Sequence, residues 1–438
     1  MDHSKEQIDL IREVFNYSHR FRGSVFVIKI DYQIIDHPLF PALVKDLALL
    51  HQTGIRMIII PGAKARIEEV LTRYGIKTKT VDGVRISTEE SIPFIKMAAF
   101  DISNRIMTML AGHKVNAVIG NWVRARSMGV IKGLDYQQTG VVEKINVPLV
   151  EKILEEDFIP VFPCIGWNSL GKPYNISSNE LAAVVSIGLH ARKLFFVTAH
   201  PGLMDRGNEL PKGSHVSPDG RISRLSVEAA RDLRDSDKRT DDPVYEYIDL
   251  ACRAAEGGVD RVHIVNGTID GVILKEIFSS LGYGMMIHGN IYDSIRPMKS
   301  RDISDVLRLM EPLVQKEILI RRTESQLKER MDDYVVYEMD DSIHGCGALA
   351  GFPDGMAEIA GIAVDQSFSH LGIGQKLVDF LITSAREKGY RKVFALTTQS
   401  LDWFQKLGFK EGSITDIPEG KRDAYDTARK SKILIFQL

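Results

Sequence analysis

The sequence predicts an α/β protein: a doubly wound parallel sheet first, then a smaller α+β unit. Three observations predict it. Short apolar runs alternate with amphipathic helical stretches as far as residue 290, and that alternation gives way to hairpin-like strands after Tyr283–Gly284. The chain has 438 residues, 44% hydrophobic and 26% charged, which at about 100–200 residues per domain is room for two or three globular domains. Lysine and arginine number 56 against 58 aspartate and glutamate, for a net charge of -2 with no block of like charge. Nucleic acid is therefore not an expected partner, since phosphate neutralisation wants a basic excess. Cys164, Cys252 and Cys346 lie far apart, so neither a disulfide framework nor a metal site is expected, and a reducing compartment fits. The opening MDHSKEQIDL is polar and no apolar run approaches the roughly 18 residues of a membrane span. The expectation is a cytoplasmic protein without a membrane partner.

Taken in order, Ser24–Ile30, Arg56–Ile60, Ala117–Ile119, Ile159–Pro163, Leu194–Thr198 and Arg261–Val265 read as strands. Several are apolar on both faces, as strands of a helix-covered parallel sheet are. Between them the helical spacing of apolar residues predicts helices over Pro41–Thr53, Ala65–Tyr74, Glu90–Gly112, Ser178–Ala191 and Val244–Glu256. The stretch Asp205–Asp242, rich in Gly, Pro, Ser, Asp and Arg, reads as an exposed insertion or hairpin. In the second unit, Ser294–Pro297 opens a strand and Arg301–Leu313 a helix with Asp302 in its first turn. Strands Tyr334–Met339, Gly345–Ala350 and Glu358–Val364 follow. A turn at Gly372–Gly374 then leads into the helix Gln375–Lys388, the strand Lys392–Thr397, the short helix Leu401–Leu407 and a last strand Ile433–Phe436.

The most informative local signal is the run from Ser369 through Gly372, Ile373, Gly374, Gln375 and Lys376. Two glycines open a helix directly after a strand, so the backbone can approach a ligand and present the first helical N–H groups to it, a geometry that suits a diphosphate. Gly361, inside the preceding strand, marks a bulge or a close approach. Glu358, at the start of that strand, is a carboxylate placed to take a proton from an ammonium, although a glutamate at a strand end is often merely solvated.

Together with Trp403-Phe404 and Gly408-Phe409, these residues resemble the GNAT N-acyltransferases, which bind acetyl-CoA through such a loop. The resemblance implies acetyl-CoA as cosubstrate. It places Gly372, Ile373, Gly374, Gln375 and Lys376 at the cofactor, with the backbone of Ile362, Ala363 and Val364 polarising the thioester carbonyl. Two departures are plain: Ser369 stands at the usual Gln/Arg position, and Phe404 where a tyrosine often protonates the leaving thiolate. Thr397, Ser400 or a water is left for that proton. The runs around Arg321-Arg322, Glu358, Thr397–Ser400 and Arg429-Lys-Ser431 further resemble the bacterial N-acetylglutamate synthases, which acetylate L-glutamate at the start of arginine biosynthesis. That resemblance implies Glu358 as base, and Arg322, Arg422, Arg429 and Ser431 as holders of the acceptor carboxylates.

Residues 1–290 resemble the amino-acid kinase family, but with its chemistry removed. Lys29 is followed by Asp31 and Tyr32 in place of two glycines. Pro61-Gly62-Ala63 keeps one glycine of a second turn, Asn179 stands where an aspartate is expected, Thr198-Ala-His-Pro-Gly202 carries no acid, and Tyr247 replaces a lysine. Phosphoryl transfer depends almost wholly on charge placement, so the unit is expected to be catalytically inactive. The stretch around Tyr17 resembles the extra N-terminal helix of arginine-sensitive relatives, which implies a homo-oligomer, a ring such as a hexamer. With it, His263, Glu276 and Gly282 are expected to form a regulatory site for L-arginine. The expected domains are 1–290 and 291–438. Two other readings stand beside an arginine-regulated glutamate acetyltransferase: a non-catalytic arginine- and CoA-binding protein, and a protein-lysine acetyltransferase under amino-acid control.

Overall fold

The computed structural model describes residues 21–205, 210–236, 242–278, 282–289, 293–339, 342–366, 368, 372–423, 425–426 and 429–438. The chain divides into two compact units, Met1–Asn290 and Ile291–Leu438. No helix among the described residues is long and apolar enough to cross a membrane.

The first unit is built on a nine-stranded sheet. Across it run Ser214–Val216, Ile222–Ser226, Met285–His288, Arg261–Asn266, Lys193–Thr198, Val25–Ile30, Arg56–Pro61, Ile159–Val161 and Ala117–Ile119. The six strands from Arg261–Asn266 to Ala117–Ile119 are parallel to one another. Their continuous apolar runs are explained by cover on both faces. Val27, Ile58 and Phe196 pack to one side with residues of the helices Ser178–Gly188 and Val244–Glu256. Phe26, Ile28 and Phe195 pack to the other, with residues of Phe40–Gln52 and Ile92–Gly112. A separate four-stranded sheet of Pro173–Asn175, Ile165–Trp167, Val123–Ser127 and Gly140–Ile145 was not foreseen, its strands being short and only half buried.

One expectation needs correction here. The helix predicted to reach Ala191 ends at Gly188, and His190 follows in the left-handed region with φ +48°, which no helix can continue through. The described part of the segment Asp205–Asp242 holds the hairpin read from its composition, and a helix besides. The hairpin is the edge pair Ser214–Val216/Ile222–Ser226, and the helix, Val227–Ser236, hides only Ala229 and Ala230. So narrow an apolar stripe is hard to see among charged residues.

The second unit is a seven-stranded sheet in the order Asp293–Pro297, Tyr334–Met339, Ser342–Gly351, Met356–Val364, Lys392–Thr397, Lys432–Gln437, Lys410–Gly412. All neighbours are antiparallel except Met356–Val364 and Lys392–Thr397. That one parallel ladder runs only over Met356–Glu358 against Lys392–Phe394. Beyond it, one edge of Ile359–Val364 has no strand partner among the described residues, and the sheet is open there. The helix Ile303–Gln315 covers one face, with Val306, Leu309 and Met310 in the core under it. Ile373–Glu387 covers the other through Val378, Leu381 and Ile382. Arg296 ties the first strand to the start of the first helix, reaching Asp302 at 2.7 Å and Glu338 at 2.6 Å.

Candidate functional site

The opening in the second sheet is shaped by one glycine. Cys346 pairs with Ala363 and Ala348 with Ala360, so Gly361 and Ile362 together face the single residue Gly347. This is a β-bulge, which re-aims the strand beyond it. Gly361 takes φ +64°, and a Cβ there would lie 3.0 Å from the Met310 Cε. Ile362, Ala363 and Val364 thus follow the bulge, on the strand whose outer edge is unpaired.

The predicted phosphate turn sits at the same end of this strand. Gly372, at φ +66°, caps the helix Ile373–Glu387, which starts two residues earlier than expected. The Lys376 amide donates to the Gly372 carbonyl at 3.1 Å. The amides of Ile373, Gly374 and Gln375 precede the first intrahelical bond and are available to a ligand. Lys376 directs its ammonium to the Tyr337 hydroxyl at 3.2 Å. Trp403 closes under the turn: a Cβ on Gly374 would lie 3.2 Å from its ring. Ser369 lies outside the described residues.

Glu358 stands where the parallel ladder ends, opposite Ala350 and Phe394. It is the third residue of its strand, not the first, and only 7% exposed. The solvated alternative is thereby removed. Its Oε2 is held by the Lys421 ammonium at 2.7 Å, a partner that sequence reasoning did not assign. Thr397 is buried and its hydroxyl accepts from the Ser400 amide at 2.9 Å. Ser400 begins the helix Leu401–Lys406. The neighbouring Thr398 hydroxyl is buried with no hydrogen-bond partner among the described residues, a second candidate donor that sequence reasoning missed. Phe404 is core, edge-on to Trp403 and Phe409.

The basic clusters converge around this face. Arg322 hydrogen-bonds the Tyr334 hydroxyl, and Tyr334 lies beside the Gly361 bulge. Arg429 donates to the carbonyls of Glu317 and Ile318 at 3.0 and 2.7 Å, which brings the C-terminal cluster to the segment leading into Arg322. Arg422 is tethered to the carbonyls of Thr415 and Ile417 at 2.6 and 2.8 Å. The Ser431 carbonyl accepts from the Tyr425 hydroxyl at 2.6 Å. Arg321, by contrast, is spent on a surface pair with Glu311.

In the first unit, the vestiges of the kinase-type site have turned inward. Lys29, 2% exposed, forms an ion pair with Asp31, and the Tyr247 hydroxyl donates to the other Asp31 oxygen at 2.8 Å. Burial first, and then the Asp31 charge, push the Tyr247 phenol well up. The cation that would meet a phosphate is already neutralised. Separately, His263 Nδ1 and Glu276 Oε1 meet at 2.7 Å, and Glu276 Oε2 accepts from the amides of Tyr283 and Gly284 at 2.5 and 2.7 Å. Burial acts to raise the Glu276 carboxyl, but the His263 contact and the two amides outweigh it and hold it below the ordinary value. Gly282, at φ +62°, closes over this carboxylate. Glu276 is therefore already held by three donors, not the open carboxylate the sequence suggested. Tyr17 lies outside the described residues.

Residues 24–266 match the amino acid kinase family and residues 302–409 the acetyltransferase (GNAT) family. The chain is 31% identical over 441 residues to the amino-acid acetyltransferase of Ralstonia nicotianae, covering 98% of this chain and 95% of that one. It is 30% identical over 443 residues to the amino-acid acetyltransferase of Escherichia coli K12, covering 99% and 98%. Among solved structures it is similar to N-acetylglutamate synthase from Neisseria gonorrhoeae complexed with coenzyme A and L-arginine, with a TM-score of 0.84, 30% identity and coverage of 98% and 99%. The same Neisseria enzyme complexed with coenzyme A and N-acetyl-glutamate matches with a TM-score of 0.60, 31% identity and the same coverage.

Proposed function

The chain belongs to the amino-acid acetyltransferases, enzymes that use acetyl-CoA, and from that premise we propose that it acetylates the α-amine of L-glutamate under the control of L-arginine. The observation that carries the chemistry is Glu358, a buried carboxylate at the point where the sheet opens. In this reading the diphosphate of acetyl-CoA sits on the amides of Ile373, Gly374 and Gln375. Its thioester arm enters the opening, with the carbonyl oxygen toward the amides of Ile362–Val364. The α-ammonium of glutamate gives a proton to Glu358, directly or through a water. The free amine attacks the thioester carbon to give a tetrahedral adduct with an N–H proton to lose. The C–S bond then breaks, the electron pair leaves with sulfur, and that second proton passes to the departing thiolate or to water, leaving the neutral amide. A thiol of ordinary pKa about 8.5 leaves readily as thiolate, so the acid is dispensable; Thr397, Ser400 or Thr398 supplies the proton if one is used. Arg322, Arg422, Arg429 and Ser431 hold the acceptor carboxylates, where the fork of guanidinium donors matches carboxylate geometry.

The regulatory half of the reading rests on the first unit. Its Lys29–Asp31–Tyr247 network already neutralises the lysine that would meet a phosphoryl group, and the buried Glu276, though held by His263 and two amides, keeps one lone-pair direction for a guanidinium. The Neisseria structures, with coenzyme A and L-arginine in one and N-acetyl-glutamate in the other, support both halves. We extend the reading to a ring-shaped homo-oligomer of the cytoplasm. The test is thiol release from acetyl-CoA across a panel of free amino acids, with and without arginine. Release with glutamate, altered by arginine, is the expected result. Release with no amino acid would overturn it in favour of a binding protein or a protein acceptor.

A further inference from the structure

We propose that Lys421 is the resting counter-ion of Glu358 and transfers to the acceptor's α-carboxylate when the amine arrives, which makes it a specificity-determining residue. The inference rests on the acetyl-transfer reading above and adds to it an ion-pair exchange. Lys421 Nζ lies 2.7 Å from Glu358 Oε2, with Glu358 nearly buried and Lys421 24% exposed. The arm that carries Lys421 is fixed on either side of it. Ser413 and Asp416 form a capping box, Arg422 is bonded to two backbone carbonyls, and the Lys421 amide itself donates to the Pro418 carbonyl at 2.9 Å. The part free to move is the lysine's flexible four-carbon stem and its compact charge.

A base must come within hydrogen-bond reach of the proton it takes. Lys421 is on one oxygen of Glu358, Oε2, so an α-ammonium that comes to either oxygen meets the lysine's charge beside it, and two ammonium groups on one nearly buried carboxylate repel. An α-amino acid resolves the conflict itself, because its α-carboxylate is one carbon from its ammonium. As the ammonium displaces Lys421 from Glu358, the carboxylate receives the displaced lysine. One ion pair becomes two, and neither charge is stranded in a poorly solvated site. An amine without a neighbouring carboxylate would strand Lys421. The arginines and Ser431 are then left for the second carboxylate of glutamate. Lys421 in this way selects an α-amino acid over a simple amine.

The discriminating acceptor is γ-aminobutyrate, which is L-glutamate without the α-carboxylate. With the full chain, Lys421→Met should raise KM for L-glutamate by about tenfold, the scale of one lost charge-assisted contact. The preference for L-glutamate over γ-aminobutyrate in kcat/KM should fall by a similar factor, with KM for acetyl-CoA within about twofold of the parent. Lys421→Arg should recover most of the preference. Lys421→Gln, which keeps a donor for Glu358 but not the charge, should lose it and serves where the Met variant folds poorly. An active parent beside charge-removing variants with unchanged preference overturns the exchange alone. So does an equal loss for both acceptors and acetyl-CoA, which would mark a structural role. A parent that releases no thiol with L-glutamate overturns the acetyl-transfer reading, and the exchange with it.

Discussion

A carboxylate that takes a proton from an ammonium has to be near it, and one that is nearly buried has to be kept company until the ammonium comes. Glu358 meets the second condition through its pairing with Lys421, and its place at the end of the parallel ladder is what makes it our candidate for the first. Glu358→Gln is nearly isosteric and keeps an acceptor for Lys421, but it cannot take the proton. General-base catalysis is worth about 10²–10⁴-fold, so kcat for glutamate should fall by that order while KM for acetyl-CoA stays within about twofold. A variant with the parent's kcat and pH profile would remove Glu358 as base. Glu358 entered as a candidate through the resemblance to the acetyltransferases; by residue type alone, a glutamate at a strand end reads as solvated, and its burial comes from the sheet around it. Lys421 was not legible, because its partner is 63 residues away and a lysine in a basic run ordinarily points to water. The same reason hid Thr398: nothing local distinguishes it from Thr397.

Elements owe their positions here to a few backbone conformations, and the bulge is the most consequential of them. Gly361 is left-handed, and its missing side chain faces Met310 and Tyr334. The tip of Met310 is flexible and can give way, so the backbone conformation dominates the cost of a substitution. A non-glycine residue held there costs about 1–2 kcal/mol. Gly361→Ala should lower the stability of the second unit by that amount in denaturant unfolding and raise KM for acetyl-CoA, since the amides of Ile362–Val364 follow the bulge. Gly361→Asn should cost less stability, because asparagine tolerates the left-handed region; a Gly361→Ala chain as stable as its parent would mean the strand can flatten. Most elements were readable from period and length, since a helix such as Val244–Glu256 and a strand such as Lys193–Thr198 carry continuous burial patterns. What escaped was set by tertiary context. The strand Met285–His288 runs antiparallel beside Arg261–Asn266 at the point where the sequence seemed to change units, and the helix Val227–Ser236 hides two alanines only.

At the scale of the whole molecule, we propose that a unit without phosphoryl-transfer activity governs the acetyl transfer of the other. The pairing of Lys29 with Asp31 supports the first part of that reading, and the His263–Glu276 pair is where the second is placed. If arginine alters the affinity for glutamate through this unit, thermodynamic linkage requires glutamate to alter the affinity for arginine by the same factor. Glu276 is the group on which this is best tested, and the variant has to be chosen with its partners in mind. Glu276→Ala would strand the buried Gly284 amide, at about 1–3 kcal/mol, and leave the part-buried Tyr283 amide without its acceptor. Glu276→Gln keeps one acceptor oxygen and removes the charge. It should abolish the effect of arginine on thiol release and, by calorimetry, arginine binding itself, while activity without arginine stays near that of the parent. Retained arginine binding would move the regulatory site elsewhere. Acidity supplies a second, independent readout. The Glu276 carboxyl is held below its ordinary value of 4.5, so the stability it contributes is fully present above that pH and is lost as pH falls through the lower folded-state value. The parent's advantage over Glu276→Gln in melting temperature should therefore be constant near neutrality and shrink on acidification below about pH 4.5. An advantage that persists unchanged into that range would mean that the carboxylate's charge does not stabilise the fold.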